Sequence, residues 1–143
     1  MTLFELKTII KNNPNDQTLG YVIRSLFGSH QDYEERPWGY FEVLLDEPNF
    51  KVKRFVVKSG KRLSYQYHKK RSENWVVVQG NGLLTLNAEN KEIGPNSIVH
   101  IEKGDYHRIH NIGVDDLVII ETQFGEYCGE DDIVRIDDDF NRK

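Results

Sequence analysis

The sequence predicts an all-β fold: one antiparallel double-sheet barrel of the jelly-roll kind, with a short helical N-terminal extension. Three observations predict it. From Trp38 onward, short runs rich in Val, Ile, Leu, Phe, Tyr and Trp recur along the chain. Turn signals rich in Gly, Asn and Pro separate them. No helical repeat or low-complexity tract interrupts the series, and many short strands at regular spacing mean a sandwich or a barrel. The length, 143 residues, is that of one domain and is enough to bury a single core.

Residues 1–30 form the extension. Thr2 and Glu5 have the spacing of a capping box, which opens a helix. Leu3, Phe4, Leu6, Ile9 and Ile10 then supply an apolar stripe, and Asn12-Asn13-Pro14 ends it. A second short helix is expected from Thr18 to Phe27, closed by Gly28. Something must cover the stripe, so a homodimer is the expected assembly. The barrel domain occupies residues 31–143. Its expected strands are Trp38–Leu45, Lys51–Val57, Leu63–Gln66, Trp75–Gln79, Leu83–Leu86, Ile98–Ile101, His107–Asn111 and Leu117–Phe124, with a short Ile133–Ile136 strand after them. Turns fall at Glu47-Pro48-Asn49, Ser59-Gly60, Gly80-Asn81-Gly82, Gly94-Pro95-Asn96, Lys103-Gly104-Asp105 and Gly113.

Composition narrows the function classes. Hydrophobic residues make up 38% and charged residues 29%, a globular balance rather than a disordered or membrane one. No apolar run approaches the roughly 20 residues of a membrane span. The start, MTLFELKTIIKNN, lacks the features of a signal peptide. Cys128 is the single cysteine, which excludes an internal disulfide and makes a reducing cytoplasm the expected location. The net charge of -4 argues against general nucleic-acid binding. Its distribution is uneven: Lys51 to Arg71 holds nine basic residues and no acid, whereas Glu126 to Asp139 holds seven acids and one base, Arg135. Such runs are often solvated faces, but a local positive field also suits an anionic small molecule.

The residues able to carry chemistry sit in that basic stretch and beyond it. Gln66 and His68 are two apart, so on a strand they share a face. Glu73 opens the next strand, and His107 follows the Gly104 turn at the start of another. Two imidazoles, a carboxylate and an amide oxygen suit Zn²⁺, and also Fe²⁺, Mn²⁺ or Co²⁺. If His107 points inward, His110 points outward, so His110 is not expected as a ligand; nor is His100. Glu121 and Gln123 alternate with apolar residues on the last long strand, which suggests that they line the pocket. Trp75 reads as core wall rather than as a sugar platform.

These residues resemble the cupin superfamily. Its first motif, G-x5-H-x-H-x3-4-E-x6-G, matches from Gly60 to Gly80, with Gln66 in place of the first His. Gly104, His107 and Asn111 match the second motif, in which Asn96 and Glu102 stand where a Gly and a Pro are usual. The flanking segments Arg36-Pro-Trp-Gly39, Arg71-Ser-Glu-Asn-Trp75 and Gly129-Glu-Asp-Asp-Ile-Val-Arg135 look like type II mannose-6-phosphate isomerase. That is the cupin domain often fused behind a mannose-1-phosphate guanylyltransferase, and the resemblance covers about residues 36–139. It implies a metal held by Gln66, His68, Glu73 and His107. It also implies interconversion of mannose 6-phosphate and fructose 6-phosphate through a cis-enediol. The catalytic candidates are Glu121, then Lys53, and Arg71. The candidate substrate contacts are Arg54, Arg71, Arg135 and Gln123, with Arg71 expected to act on the phosphate without affecting the metal. A guanylyltransferase domain is not expected in a chain this short. Two rival readings are a metal cupin acting on another phosphosugar or nucleotide sugar, and a non-catalytic sugar-phosphate binder.

Overall fold

Alternation of side chains writes the strands. Along Leu117–Phe124, residues 117, 119, 121 and 123 are buried and their neighbours are more open, the period of two that sends alternate side chains to opposite faces. The computed structural model describes residues 33–143, together with Glu5, Thr8, Ile9 and Asn12. Among them it builds β1 (Tyr33–Arg36), β2 (Gly39–Asp46), β3 (Phe50–Val57), β4 (Tyr65–Tyr67), β5 (Ser72–Gln79), β6 (Gly82–Leu86), β7 (Glu89–Ile93), β8 (Ile98–Ile101), β9 (His107–Asn111), β10 (Leu117–Phe124) and β11 (Val134–Asp137). Every ladder is antiparallel. One sheet runs β1-β2-β3-β10-β5-β8 and the other β11-β4-β9-β6-β7.

The chain divides into two units, Met1–Gln31 and Asp32–Lys143, and all of these strands belong to the second. The helices expected over residues 1–30, and the apolar stripe behind the expected homodimer, lie outside the described residues. The four exceptions, Glu5, Thr8, Ile9 and Asn12, have helical backbone. Two strands appear that the sequence reading does not foresee, β1 and β7. Both are sheet edges. Their sequences, Tyr-Glu-Glu-Arg and Glu-Asn-Lys-Glu-Ile, are largely exposed and need no apolar alternation. The β6–β7 hairpin is set instead by its turn, where Asn87 and Ala88 both take positive φ, 47° and 67°.

The apolar core fills one end of the barrel. Phe41, Phe55, Trp75, Val77, Leu84, Ile109, Leu117 and Ile119 converge there from both sheets, each worth about 1.5–3 kcal/mol on burial if it is a large side chain. Phe55 meets Trp75 edge-on at 5.4 Å and Trp38 at 6.2 Å. Beside Trp38, the backbone of Gly39 runs so close to β3 that a Cβ would lie 1.9 Å from the Val56 carbonyl oxygen. Further along the same strands the inward positions turn polar: Lys53 on β3, Glu73 on β5, His107 on β9, Glu121 and Gln123 on β10. The register brings them to one end, with Glu121 opposite both Lys53 and Trp75, and Gln123 opposite Glu73.

Candidate metal centre

Both sheets contribute to the polar end. Gln66 on β4 pairs directly with His107 on β9, and from the other side with Arg135 on β11. Glu73 comes from the opposite sheet, near the start of β5. His68 follows β4 immediately. The two motif segments are tied together at Gly104, whose φ of +83° favours glycine and whose N–H donates to the His68 carbonyl at 2.8 Å.

Each histidine is oriented by a main-chain carbonyl. His68 Nδ1 lies 2.6 Å from the Asp132 carbonyl oxygen, and His107 Nδ1 lies 2.9 Å from that of Asp105. A carbonyl only accepts, so Nδ1 carries a proton in both rings, and in the neutral imidazole Nε2 is then the lone-pair nitrogen. Those Nε2 atoms face Glu73, at 3.1 Å from Oε1 for His68 and 3.9 Å from Oε2 for His107. His107 Nε2 is buried and has no hydrogen-bond partner among the described residues. An orphaned, buried imidazole nitrogen is costly, and a metal ion satisfies it. His68, Glu73 and His107 offer ligand atoms within 4.8 Å of one another, all three buried, and so form a group able to hold a metal ion. The Gln66 amide adjoins them: its Oε1 accepts from Ser64 Oγ at 2.6 Å and its Nε2 lies 3.4 Å from His68 Nε2. Turning that amide over exchanges the two, so that Nε2 donates to Ser64 and the oxygen faces the histidines. The carbonyl bonds at Nδ1 are the outer support that metal-binding histidines ordinarily have.

Charge at the site is arranged in pairs. Burial opposes ionisation of Glu73, but His68 and Arg71 outweigh it and hold the carboxylate well below its ordinary range. Burial of His107 is the main reason that its pKa is lowered, which favours the neutral, ligating imidazole. Glu121 goes the other way. Burial, then the charge of Glu73, pushes it up to about 8 despite the nearby Lys53. Trp75 Nε1 donates to both acids, at 3.0 Å to Glu73 and 2.9 Å to Glu121, and Gln123 Nε2 donates to Glu121 at 2.6 Å.

Of the residues singled out in the sequence, Lys53, Gln66, Arg71, Glu73, Glu121, Gln123 and Arg135 all border one cavity of about 90 Å³. Lys53 pairs with Glu130 and lies over the Phe41 ring. Arg71 is buried rather than turned to solvent. Its Nε donates to Glu73 at 3.0 Å and its Nη1 to the Gly129 carbonyl at 3.1 Å, so it touches a candidate metal ligand as well as bordering the cavity. Arg54 is not brought to the site. It points to the other face of β3, with Tyr40 and Glu42 as neighbours. His100 is exposed between Asn74 and Glu102. Four contributors were given no role from the sequence: Arg36, Glu130, Asp132 and Arg142. Asp132 accepts the main-chain N–H groups of Lys69 and Lys70 on its carboxylate while its carbonyl orients His68. Arg36, Glu130 and Arg142 border the cavity.

Known proteins resemble this chain in sequence and in fold. A family model described as mannose-6-phosphate isomerase C-terminal matches residues 24–138. A mannose-1-phosphate guanylyltransferase of Escherichia coli is 40% identical over 107 residues, which is 75% of this chain and 23% of that protein. The xanthan biosynthesis protein XanB of Xanthomonas campestris is 42% identical over 107 residues, again 75% of this chain and 23% of the relative. The chain thus spans about a quarter of the length of these curated relatives. Among solved structures, a conserved protein with a double-stranded β-helix domain from Klebsiella pneumoniae superposes with a TM-score of 0.64 at 14% identity, covering 73% of this chain and 84% of that one. The fold is therefore the cupin double-stranded β-helix.

Proposed function

We propose that this chain, which belongs to the mannose-6-phosphate isomerase C-terminal family, interconverts mannose 6-phosphate and fructose 6-phosphate with a divalent ion, zinc first among the candidates. One observation carries the reading: the buried His68–Glu73–His107 group reaches, through Glu73, a cavity whose wall also includes a second buried carboxyl, Glu121. Gln66, His68, Glu73 and His107 would hold the ion, which would supply Lewis-acid polarisation of the sugar carbonyl. The rest is proton transfer. A base takes the proton from C2 of the aldose while O1 gains one, giving the cis-enediol. The O2 hydroxyl then loses its proton and C1 receives one, giving the ketose. Glu121 is the base, its two oxygens held in place by Trp75 and Gln123. Lys53 stands opposite it on β3 and favours its carboxylate form. Arg71 holds Glu73 in position. The relatives' names support a place in mannose-phosphate chemistry, and that of XanB a link to polysaccharide synthesis.

The test is a coupled assay of mannose 6-phosphate turnover by the zinc-loaded protein. Glu121→Gln is expected to lower kcat by about 10²–10⁴-fold, the ordinary worth of a general base, with metal content unchanged. Binding of the sugar phosphate without turnover by the wild-type protein would replace the isomerase by a non-catalytic binder. Neither binding nor turnover would point to another phosphosugar or nucleotide sugar.

A further inference from the structure

Three arginines from three separate parts of the chain meet at the same cavity: Arg36 at the end of β1, Arg135 on β11, and Arg142 beyond the last strand. We propose that these three guanidinium groups form the receptor for the phosphate of the substrate, with the sugar running from them to the metal centre. The proposal rests on the sugar-phosphate reading above and adds to it the residues that recognise the anion.

The placement is direct. Arg135 lies opposite Gln66 in the β4–β11 pairing, and directly opposed residues share a face of the sheet, with Cβ atoms about 4.5–5.5 Å apart. A phosphate on Arg135 is therefore one side chain away from a metal ligand.

The charges also ask for an anion. Other cations of the cavity already have buried or bordering partners, Lys53 in Glu130 and Arg71 in Glu73. Arg135 forms no ion pair with a side-chain carboxylate among the described residues. Its Nη1 donates to the Lys143 carbonyl at 2.6 Å, and its Nε is buried with no partner among the described residues. Burial, and then the nearness of Arg142, lowers its pKa, with Asp138 opposing and Arg36 adding to the effect. Arg142 is held, not loose: Asp138 takes its Nε at 2.8 Å and its Nη2 at 3.0 Å, which leaves Nη1 outside that fork. Arg36 is braced in the same manner by Glu34, by the Glu35 carbonyl at 3.0 Å and by the Phe41 ring at 5.0 Å. Acids that fix two of the arginines reduce the entropy lost when a ligand arrives. A phosphate monoester carries about -1.5 to -2 charges at pH 7, and guanidinium groups meet its oxygens in bidentate, charge-assisted pairs. Gln123 Oε1, also buried and without a partner among the described residues, is an acceptor suited to a sugar hydroxyl.

Binding of mannose 6-phosphate and of mannose to the zinc-loaded protein tests this, by calorimetry on wild type, Arg36→Gln, Arg135→Gln, Arg142→Gln and the outer-face control Arg54→Gln. The wild type is expected to prefer the phosphorylated sugar. Each of the three variants should lose roughly ten- to a hundredfold in affinity for mannose 6-phosphate and keep its affinity for mannose. Arg54→Gln should change neither, and inorganic phosphate should compete in the wild type. Arg142 lies beyond the last strand, so Arg142→Gln gives a result even if another variant does not fold. A wild type that prefers mannose 6-phosphate while Arg135→Gln and Arg142→Gln keep that preference would overturn the receptor and leave the sugar-phosphate reading standing. Equal wild-type affinity for both sugars would overturn that reading and the receptor with it. Parallel loss of both sugars in the variants would also overturn the receptor, since the arginines would then be shaping the site rather than reading the phosphate.

Discussion

At residue 71 a buried guanidinium and a buried carboxylate meet with little solvent between them; the side chains of Arg71 and Glu73 are 6% and 2% exposed. Removing one partner of such a pair leaves an uncompensated buried charge, which costs about 3–5 kcal/mol. Arg71→Met should therefore destabilise the metal-free protein by about that much in urea melts. Zinc should recover part of the loss, because it brings a cation back to Glu73. Equal destabilisation with and without zinc would mean that Glu73 is not a ligand. Asp138 gives a pH signature of its own. Its hydrogen bonds from Arg142 lower its pKa from 3.8 to about 2. A depressed carboxylate stabilises the fold above its unfolded-state pKa and loses that contribution as pH falls through the folded one. The melting-temperature gap between wild type and Asp138→Asn should then be constant above about pH 4 and close between about pH 4 and pH 2. A gap that persists at pH 2 would show that the bonds to Arg142 do not depend on the ionised form.

The segment between β10 and β11 acts through its main chain as much as through its side chains. Gly129 receives Arg71, Cys128 receives Lys51, and Asp132 holds His68 by its carbonyl and the N–H groups of Lys69 and Lys70 by its carboxylate. Asp132→Ala should weaken zinc binding about 10–100-fold, the usual cost of losing outer support to a ligand. A competition titration with a chelating dye measures it, and unchanged affinity would mean that the carbonyl of residue 132 is positioned without the carboxylate. This segment also marks where sequence reading stops. Gln66 and His68 were legible as a pair because the strand period puts them on one face, and the resemblance to the cupin motifs joined Glu73 and His107 to them. Asp132 was not, since its acid-rich surroundings read as a solvated face and its use of a main-chain carbonyl leaves no residue-type signal. Arg36 stood in a recognised motif with no partner to reveal its aim, and Arg142 reaches the cavity only through the turn that follows β11. Strands β5 and β10 declared themselves by buried alternation. The edges β1 and β7, held by one neighbour each and exposed to water, had no such pattern to declare.

Across the whole barrel, the candidate ligands are split between the sheets, with Glu73 on one and Gln66 and His107 on the other. An ion bound there is a staple between layers, and a ligand that binds only the folded state stabilises it by about 2.7 kcal/mol at a hundredfold excess over Kd. Zinc should raise the melting temperature of the wild type and leave that of a His68→Ala, His107→Ala double variant unmoved. A shift that survives in the double variant would place the zinc elsewhere. The link from Asp132 to His68 carries this staple outward. Among the described residues, 125–133 join no sheet ladder; they are fixed to the site by the bonds already described and by the close approach of Gly125 to Lys70, where a Cβ would lie 2.3 Å from the carbonyl oxygen. Peptide bonds of such a segment are cleaved by proteases only when it lifts away. Loading the metal tightens His68 and, through it, Asp132. Digestion within 125–133 should therefore slow as zinc is added, which turns the rate of proteolytic nicking into a readout of occupancy that requires no substrate.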